Sequence, residues 1–170
     1  INISVDVINS LSEVDLADLC NITEQAISAG GGFGWLRAPT RDILNNYWKS
    51  ITDDKLCKLI VGRLNGVIAG TLQLSYEAPN IESRKNIAQI KRQFVAPWAR
   101  GYGLAKSMIE FSEHIAKEDN IKSIQLSVRE TQEAAVQLFS NKDYKVWGKN
   151  PYYAFVNGSF VKGIYFYKNL

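Results

Sequence analysis

Histidine occurs once in this sequence, at His114, and cysteine twice, at Cys20 and Cys57. With so few imidazole and thiolate ligands no zinc-type set can be assembled, and no metal is expected. The two cysteines stand at unrelated spacing, which offers no disulfide framework. Both read as reduced thiols of a cytoplasmic protein. A Cys–His nucleophile gains no support either, because His114 falls in a helical pattern with no fixed relation to either cysteine. No stretch is apolar for long enough to cross a bilayer. No basic segment followed by an apolar one opens the sequence, so no secretion signal is expected. Charge of one sign is also scarce: 20 Lys and Arg against 17 Asp and Glu leave a net charge of +3. Lys142, Lys145 and Lys149 lie close together but are interleaved with Asp143, Tyr144 and Trp147, the pattern of a solvated face. Nucleic acid is therefore not an expected partner.

What is present is apolar content of 46% in 170 residues, enough for one domain spanning residues 1–170 to bury a core. Ile1 to Val5 reads as a strand. Ser10-Leu11-Ser12-Glu13 reads as a capping box opening a helix from about Glu13 to Ala29, which must stop at Gly30-Gly31-Gly32. A short helix is expected around Arg41 to Trp48. Leu56 to Leu64 and Val67 to Tyr76 are β-rich runs separated by Asn65-Gly66, a hairpin signal because both turn residues need positive φ. A third strand, about Asn86 to Val95, leads through a glycine-bearing loop to a helix from Leu104 to Lys117. Leu104, Met108, Phe111 and Ile115 give that helix an apolar stripe. Ile124 to Val128 reads as a strand, Gln132 to Asn141 as a helix, and Lys145 to Trp147 and Gly163 to Lys168 as strands, the last after a turn at Asn157-Gly158. Strand, crossover helix and strand between Phe94 and Val128 demand a parallel pair, while the hairpins demand antiparallel ones. The expected fold class is mixed α/β: a twisted sheet of about seven strands with helices on both faces.

The chemistry concentrates in Ala96-Pro97-Trp98-Ala99-Arg100-Gly101-Tyr102-Gly103-Leu104-Ala105, between a strand and a helix N-terminus. Gly101 and Gly103 let the backbone turn tightly and approach a ligand. The first amides of the helix are unpaired and carry about half a positive charge, which suits a phosphate or diphosphate. Gly-x-Gly at such a junction is also what a plain tight turn contains. No Gly-Lys-Ser/Thr follows and no third glycine is present, so neither a P-loop nor a dinucleotide fingerprint is read here.

The whole segment Arg100-Gly101-Tyr102-Gly103-Leu104-Ala105, with Val95-x-Pro97 before it, resembles the Arg/Gln-x-x-Gly-x-Gly/Ala signature of the GNAT superfamily of N-acetyltransferases. Downstream, Leu126-Ser127-Val128-Arg129, Ala135, Leu138-Phe139 and Asp143-Tyr144 resemble its second motif, L-x-V-R-x-x-N-x-x-A-x-x-L-Y-x-x-x-G-F. The Gly30 to Trp35 segment and the tail from Gly148 to Tyr153 look closest to the branch that contains the tabtoxin-resistance acetyltransferase. The resemblance implies acetyl-CoA as cosubstrate, with amides of Arg100, Gly101, Tyr102, Gly103, Leu104 and Ala105 cradling its diphosphate. It implies that Phe94 and Val95 bind the pantetheine arm, that the parallel strands splay after Val95, and that Gln132, Ala135 and Phe139 complete the cofactor site. The implied activity is transfer of an acetyl group to a primary amine of a small molecule or peptide by direct attack in a ternary complex, in a protein that can also form a homodimer. A backbone amide near Val95 would steady the oxyanion.

Four positions depart from the pattern, three of them at sites of chemistry. Phe139 stands where the family commonly has a proton-donating Tyr. Gln89 and Ser127 stand where the resembling branch has acidic residues. Gln132 replaces an Asn, a milder change. Tyr153 is the first candidate for a replacement acid, with a packing aromatic as the alternative, and Ser127 is a candidate base only if another group activates it. Tyr102 covers the cofactor or faces solvent. Glu77, after the hairpin, is a further candidate base, with an exposed salt-bridge partner at a strand end as the favoured alternative. Phe33, Trp35 and Gln89 are candidate substrate contacts, the two aromatics serving otherwise as core anchors. The rival function is a non-catalytic acyl-CoA-binding sensor or scaffold of the same fold.

Overall fold

The computed structural model describes all 170 residues. The elements in chain order are β1 (Ile3–Ile8), α1 (Glu13–Ser28), α2 (Arg41–Asp53), β2 (Cys57–Leu64), β3 (Val67–Tyr76), β4 (Ile87–Val95), α3 (Leu104–Glu118), β5 (Ser123–Arg129), α4 (Glu133–Asn141), β6 (Lys145–Val156) and β7 (Ser159–Asn169). They form a seven-stranded sheet in the order β1-β2-β3-β4-β5-β7-β6. The β4–β5 pair is parallel and every other pair antiparallel. This is the mixed α/β sheet expected from the order of apolar runs.

Both faces of the sheet are covered, and β2 shows why its residues form an unbroken apolar run. Leu59 and Val61 point to one face, where Leu19 and Ile22 of α1 and Leu44 and Trp48 of α2 complete a core. Ile60 points to the other, where Met108, Ile109 and Ile115 of α3 and Phe139 of α4 pack with Leu72, Leu74, Ile124 and Leu126. At roughly 1.5–3 kcal/mol for each large apolar side chain taken out of water, these two layers supply the main folding force. Asn65 and Gly66 take φ of 52° and 85°, the left-handed pair that closes the β2–β3 hairpin.

Three details differ from the sequence reading. Ser12, not Ser10, caps α1: its side chain accepts from the Asp15 amide at 3.1 Å. The α2 helix runs a further turn, to Asp53, because Ile51 packs against the α1–α2 core. The strand expected around Lys145 to Trp147 extends to Val156. Gly148 and Pro151 look like breakers, but β6 is an edge strand and needs no donor on its outer side. The extra residues sit in register breaks between Val146 and Gly148 and between Asn150 and Ala154.

Arg63 of β2 ties the N-terminal elements together. Its guanidinium donates to both carboxylate oxygens of Asp15 at 2.9 and 3.0 Å and to Asp6 at 3.2 Å. Those hydrogen bonds from Arg63 hold the Asp15 carboxyl below its ordinary pKa against the opposing effect of burial. A depressed carboxylate stabilises the fold above its unfolded pKa of ~3.9, and that contribution fades as pH falls through the lower folded value. Asp15→Asn is expected to cost about 1–2 kcal/mol at pH 7. Urea denaturation at about pH 7 and about pH 2 checks this: the gap between variant and parent should close at the acid end.

Candidate active site

The site is made where the sheet forks. Parallel pairing of β4 with β5 covers Ile87, Ala88 and Gln89 opposite Ser123, Ile124 and Gln125, and goes no further. From Ile90 onward β4 stays with β3, while β5 stays with β7 as far as Arg129 opposite Gly163. The strands thus part after Gln89, not after Val95. The cause is a bulge in β4. Thr71 pairs with Phe94 and Gln73 with Lys91, so Arg92 and Gln93 together face Leu72 alone. Arg92 takes φ of 54°, and its carbonyl accepts from the Thr71 hydroxyl at 3.3 Å. A bulge bends and twists its own strand. Here it turns the end of β4 away from β5.

Two cavities meet at the fork. One, of about 460 Å³, lies between the end of α1, the end of β4 and the start of α4. Gly30 to Gly32, Phe94, Val95, Arg100, Ala105, Gln132, Ala135 and Leu138 line it. At its outer rim are Gly101, Tyr102 and Gly103, all exposed, with φ of 89° at Gly101 and 77° at Gly103. A Cβ on Gly103 would meet nothing within 4 Å. Glycine is required there by the left-handed angle, not by space. Trp98 donates to Gln25 at 3.0 Å and holds the preceding turn against α1. No amide from Gly101 to Lys106 has a protein acceptor, whereas that of Arg100 is engaged by the Pro97 carbonyl at 3.4 Å. The side chains of Leu104 and Phe139 are core, both essentially buried, although Phe139 also borders the second cavity.

The second cavity, of about 660 Å³, opens on the α1–α2 side of the fork. Gln89 and Lys91 of β4, Gln125 and Ser127 of β5, and Tyr165 of β7 alternate with core residues and so share this face. Phe33 and Leu36 close one side and Tyr153 and Phe155 the other. Ser127 and Tyr153, singled out separately in the sequence, share a hydrogen bond of 2.8 Å between their hydroxyls. Tyr153 reaches Ser127 because of the second register break in β6, where Pro151, Tyr152 and Tyr153 stand against Lys162. Its ring then lies flat on Gly163, where an added Cβ would fall 2.1 Å from Tyr153 Cγ. A glycine inside a strand was the available signal for that close approach.

Trp35 does not line the cavity. It stacks on Phe33, with centroids 6.3 Å apart, and meets Tyr47 edge-on at 5.1 Å, so it acts as an anchor for the loop. Arg129 holds the same loop from the β5 side, donating to the carbonyls of Gly30 at 3.3 Å and Phe33 at 3.4 Å. Gln132 lies against Gly31 so closely that a Cβ there would sit 1.9 Å from its amide nitrogen. Glu77 pairs with Arg84 at 3.2 Å and His114 with Glu118 at 2.8 Å, both away from the fork. Gln125 and Tyr165 were missed in the sequence. The first shares the period-two face of Ser127 and the second pairs with Ser127 across the ladder, relations that need the register.

The sequence pattern described as the acetyltransferase (GNAT) family matches residues 18–142. A relative from Azospirillum brasilense, described as an uncharacterized N-acetyltransferase in the hisH-hisA intergenic region, is 43% identical over 131 residues, 77% of this chain and 78% of that protein. The chain belongs to the GNAT acetyltransferase family. Among solved structures, an N-acetyltransferase from Staphylococcus aureus Mu50 superposes with a TM-score of 0.83 at 16% identity, covering 99% of this chain and 98% of that one. The yncA protein of Salmonella typhimurium with its cofactor acetyl-CoA gives a TM-score of 0.80 at 14% identity, covering 99% and 94%. A phosphinothricin acetyltransferase from Sinorhizobium meliloti in complex with AcCoA gives 0.81 at 13%, covering 100% and 89%. At these identities the likeness is one of fold, and this GNAT chain reproduces the fold over its full length. No three His, Cys, Asp or Glu side chains gather so as to hold a metal ion, and no helix is long and apolar enough to cross a membrane.

Gly163→Ala must displace the Tyr153 ring, at an expected cost of about 1–3 kcal/mol. Gly148, whose Cβ position is open, provides the control: Gly148→Ala should change stability by less than about 0.5 kcal/mol. Denaturant titration of both variants checks the difference.

Proposed function

We propose that the chain transfers an acetyl group from acetyl-CoA to a primary amine of a small molecule or peptide, in a ternary complex assembled at the fork. The observation that carries this reading is the meeting of two differently built cavities at one gap in the sheet. The cavity beside α3 fits a diphosphate-bearing cosubstrate, because the amides from Gly101 to Lys106 lack acceptors and stand at a helix N-terminus. The edge of β4 from Ile90 to Val95 has no neighbouring strand on the β5 side and offers main-chain groups to an extended arm. Acetyl-CoA bound there supplies an activated acyl group on a thioester. Three of the compared structures carry names pointing to acetyl transfer, and two of them hold acetyl-CoA.

The protein's own contribution is placement and proton handling. Bringing amine and thioester together supplies much of the rate. The Ser127–Tyr153 hydroxyl pair takes the role left open by Phe139: the Tyr153 O–H gives its proton to the departing thiolate, and Ser127 passes on to Tyr153 the proton that the attacking nitrogen sheds as the amide forms. Neither cysteine borders either cavity. Burial pushes the Cys57 thiol up to about 11 and raises that of Cys20 as well. Direct attack by the amine is therefore favoured over an acyl-cysteine route. The Gly30–Trp35 segment and the β6 tail keep their likeness to the tabtoxin-resistance branch, and that kinship is part of the same proposal.

Two experiments test the reading. Gly103→Val cannot hold the left-handed angle cheaply, so CoA-induced stabilisation, ~2.7 kcal/mol at a hundred times the dissociation constant, should vanish while the protein stays folded. Tyr153→Phe should lower kcat by ~10²-fold or more with CoA affinity unchanged. Release of free CoA over an amine panel gives the rates. Stabilisation by CoA without turnover of any amine would favour the sensor reading instead.

A further inference from the structure

The acceptor cavity contains cations and no carboxylate. Lys91, Arg92 and Arg129 all line it, and no Asp or Glu does. None of the three forms a salt bridge within 4.0 Å, although the chain carries ten such contacts elsewhere. Arg129 is occupied in part by the carbonyls of Gly30 and Phe33. The guanidinium of Arg92 has no hydrogen-bond partner, while the backbone carbonyl of the same residue accepts from the Thr71 hydroxyl. This half-buried cation sits on the bulge that opens the fork, at a φ of 54° that arginine rarely adopts. Non-glycine residues held at such angles concentrate where a ligand is gripped. Burial raises the pKa of the Tyr47 hydroxyl, and the positive charge of Arg92 acts against that rise.

We propose that the acceptor is a small amine that also bears an acid group, and that Arg92 binds this acid. The inference rests on the acetyl-transfer reading and narrows its substrate class. Guanidinium is the side chain best shaped for two parallel hydrogen bonds to a carboxylate or a phosphate. Lys91 adds a second positive charge on the same wall. A polyamine or an unmodified lysine-rich peptide would bring further positive charge into a cavity that has none of the opposite sign. The same cations disfavour an ammonium ion beside them, so an amine delivered by its paired acid is biased to the neutral, nucleophilic form in a site lined by Gln89 and Ser127 and by no carboxylate.

The test compares kcat/KM for a set of free α-amino acids, their carboxamides, O-phosphoethanolamine, and spermidine, with acetyl-CoA saturating. Amino acids should exceed their own carboxamides by about ten- to a hundredfold, the worth of one charge-assisted bidentate pair. If the acid recognised is a phosphate, O-phosphoethanolamine should lead instead, with the carboxamides still behind. Arg92→Asn keeps a residue that tolerates the left-handed angle. In that variant KM for the acid-bearing amine should rise by a similar factor, the preference over the carboxamide should collapse, and calorimetric affinity for CoA should be unchanged. Lys91→Gln should show the same trend more weakly. Equal or better turnover of carboxamides or spermidine by the parent protein overturns the proposal, as does an Arg92→Asn variant that keeps the preference. Absence of CoA binding by the parent protein would instead sink the acetyl-transfer reading, so the two failures are distinguishable.

Discussion

Everything distinctive about this molecule follows from one misfit in a β-ladder. β4 carries one residue more than β3 can match between Thr71 and Gln73, and the surplus at Arg92 and Gln93 swings the strand end off its parallel neighbour. A parallel pair that stayed zipped to Val95 would leave no gap for a ligand and would bury the β4 edge. Because it opens after Gln89, the sheet behaves as two sheets hinged at their lower ends, β1 to β4 on one side and β5 to β7 on the other. Gln132 of one half touches Gly31, which follows α1, and Arg129 binds the same loop, so these contacts bridge the gap at its rim.

Much of this architecture is written in period and punctuation. The unbroken Leu59-Ile60-Val61 run announces a strand buried on both faces, and Asn65-Gly66 announces its turn. The loop into α3 was legible for the same reason: a strand, two glycines and a helix start can be recognised within ten residues. What depended on register was not. The position of the fork is decided by how β4 lines up with β3, and neither strand's own residues state that alignment. Tyr153 and Ser127 were each visible as side chains of interest, but their 2.8 Å contact exists only because a break in β6 lays the tyrosine on Gly163. Trp35 misled in the opposite direction, since an aromatic after a glycine run reads equally well as a binding wall and as the anchor it is.

The replaced positions gain meaning from their surroundings. Phe139 is fully buried, edge-on to Tyr144 at 5.2 Å and near Phe166 at 6.2 Å. Its ring closes the floor of the gap as core. The proposed proton donor, Tyr153, lies across the cavity on the edge hairpin, where its placement relies on strand irregularity more than on packing. Gln89 and Gln125 face each other where the strands are last paired, giving the cavity floor amides that can donate and accept in place of fixed negative charge.

The cysteines carry a practical consequence. A thiol with a pKa of about 11 is ionised to roughly one part in ten thousand at neutral pH, and the other cysteine is wholly enclosed, its Sγ turned to Asn45 at 3.2 Å. Aromatic disulfide dyes react with thiolates. Mixed with this protein during turnover, such a dye would colour almost entirely with the sulfhydryl liberated from the carrier, so the native chain can be followed continuously without first replacing its cysteines.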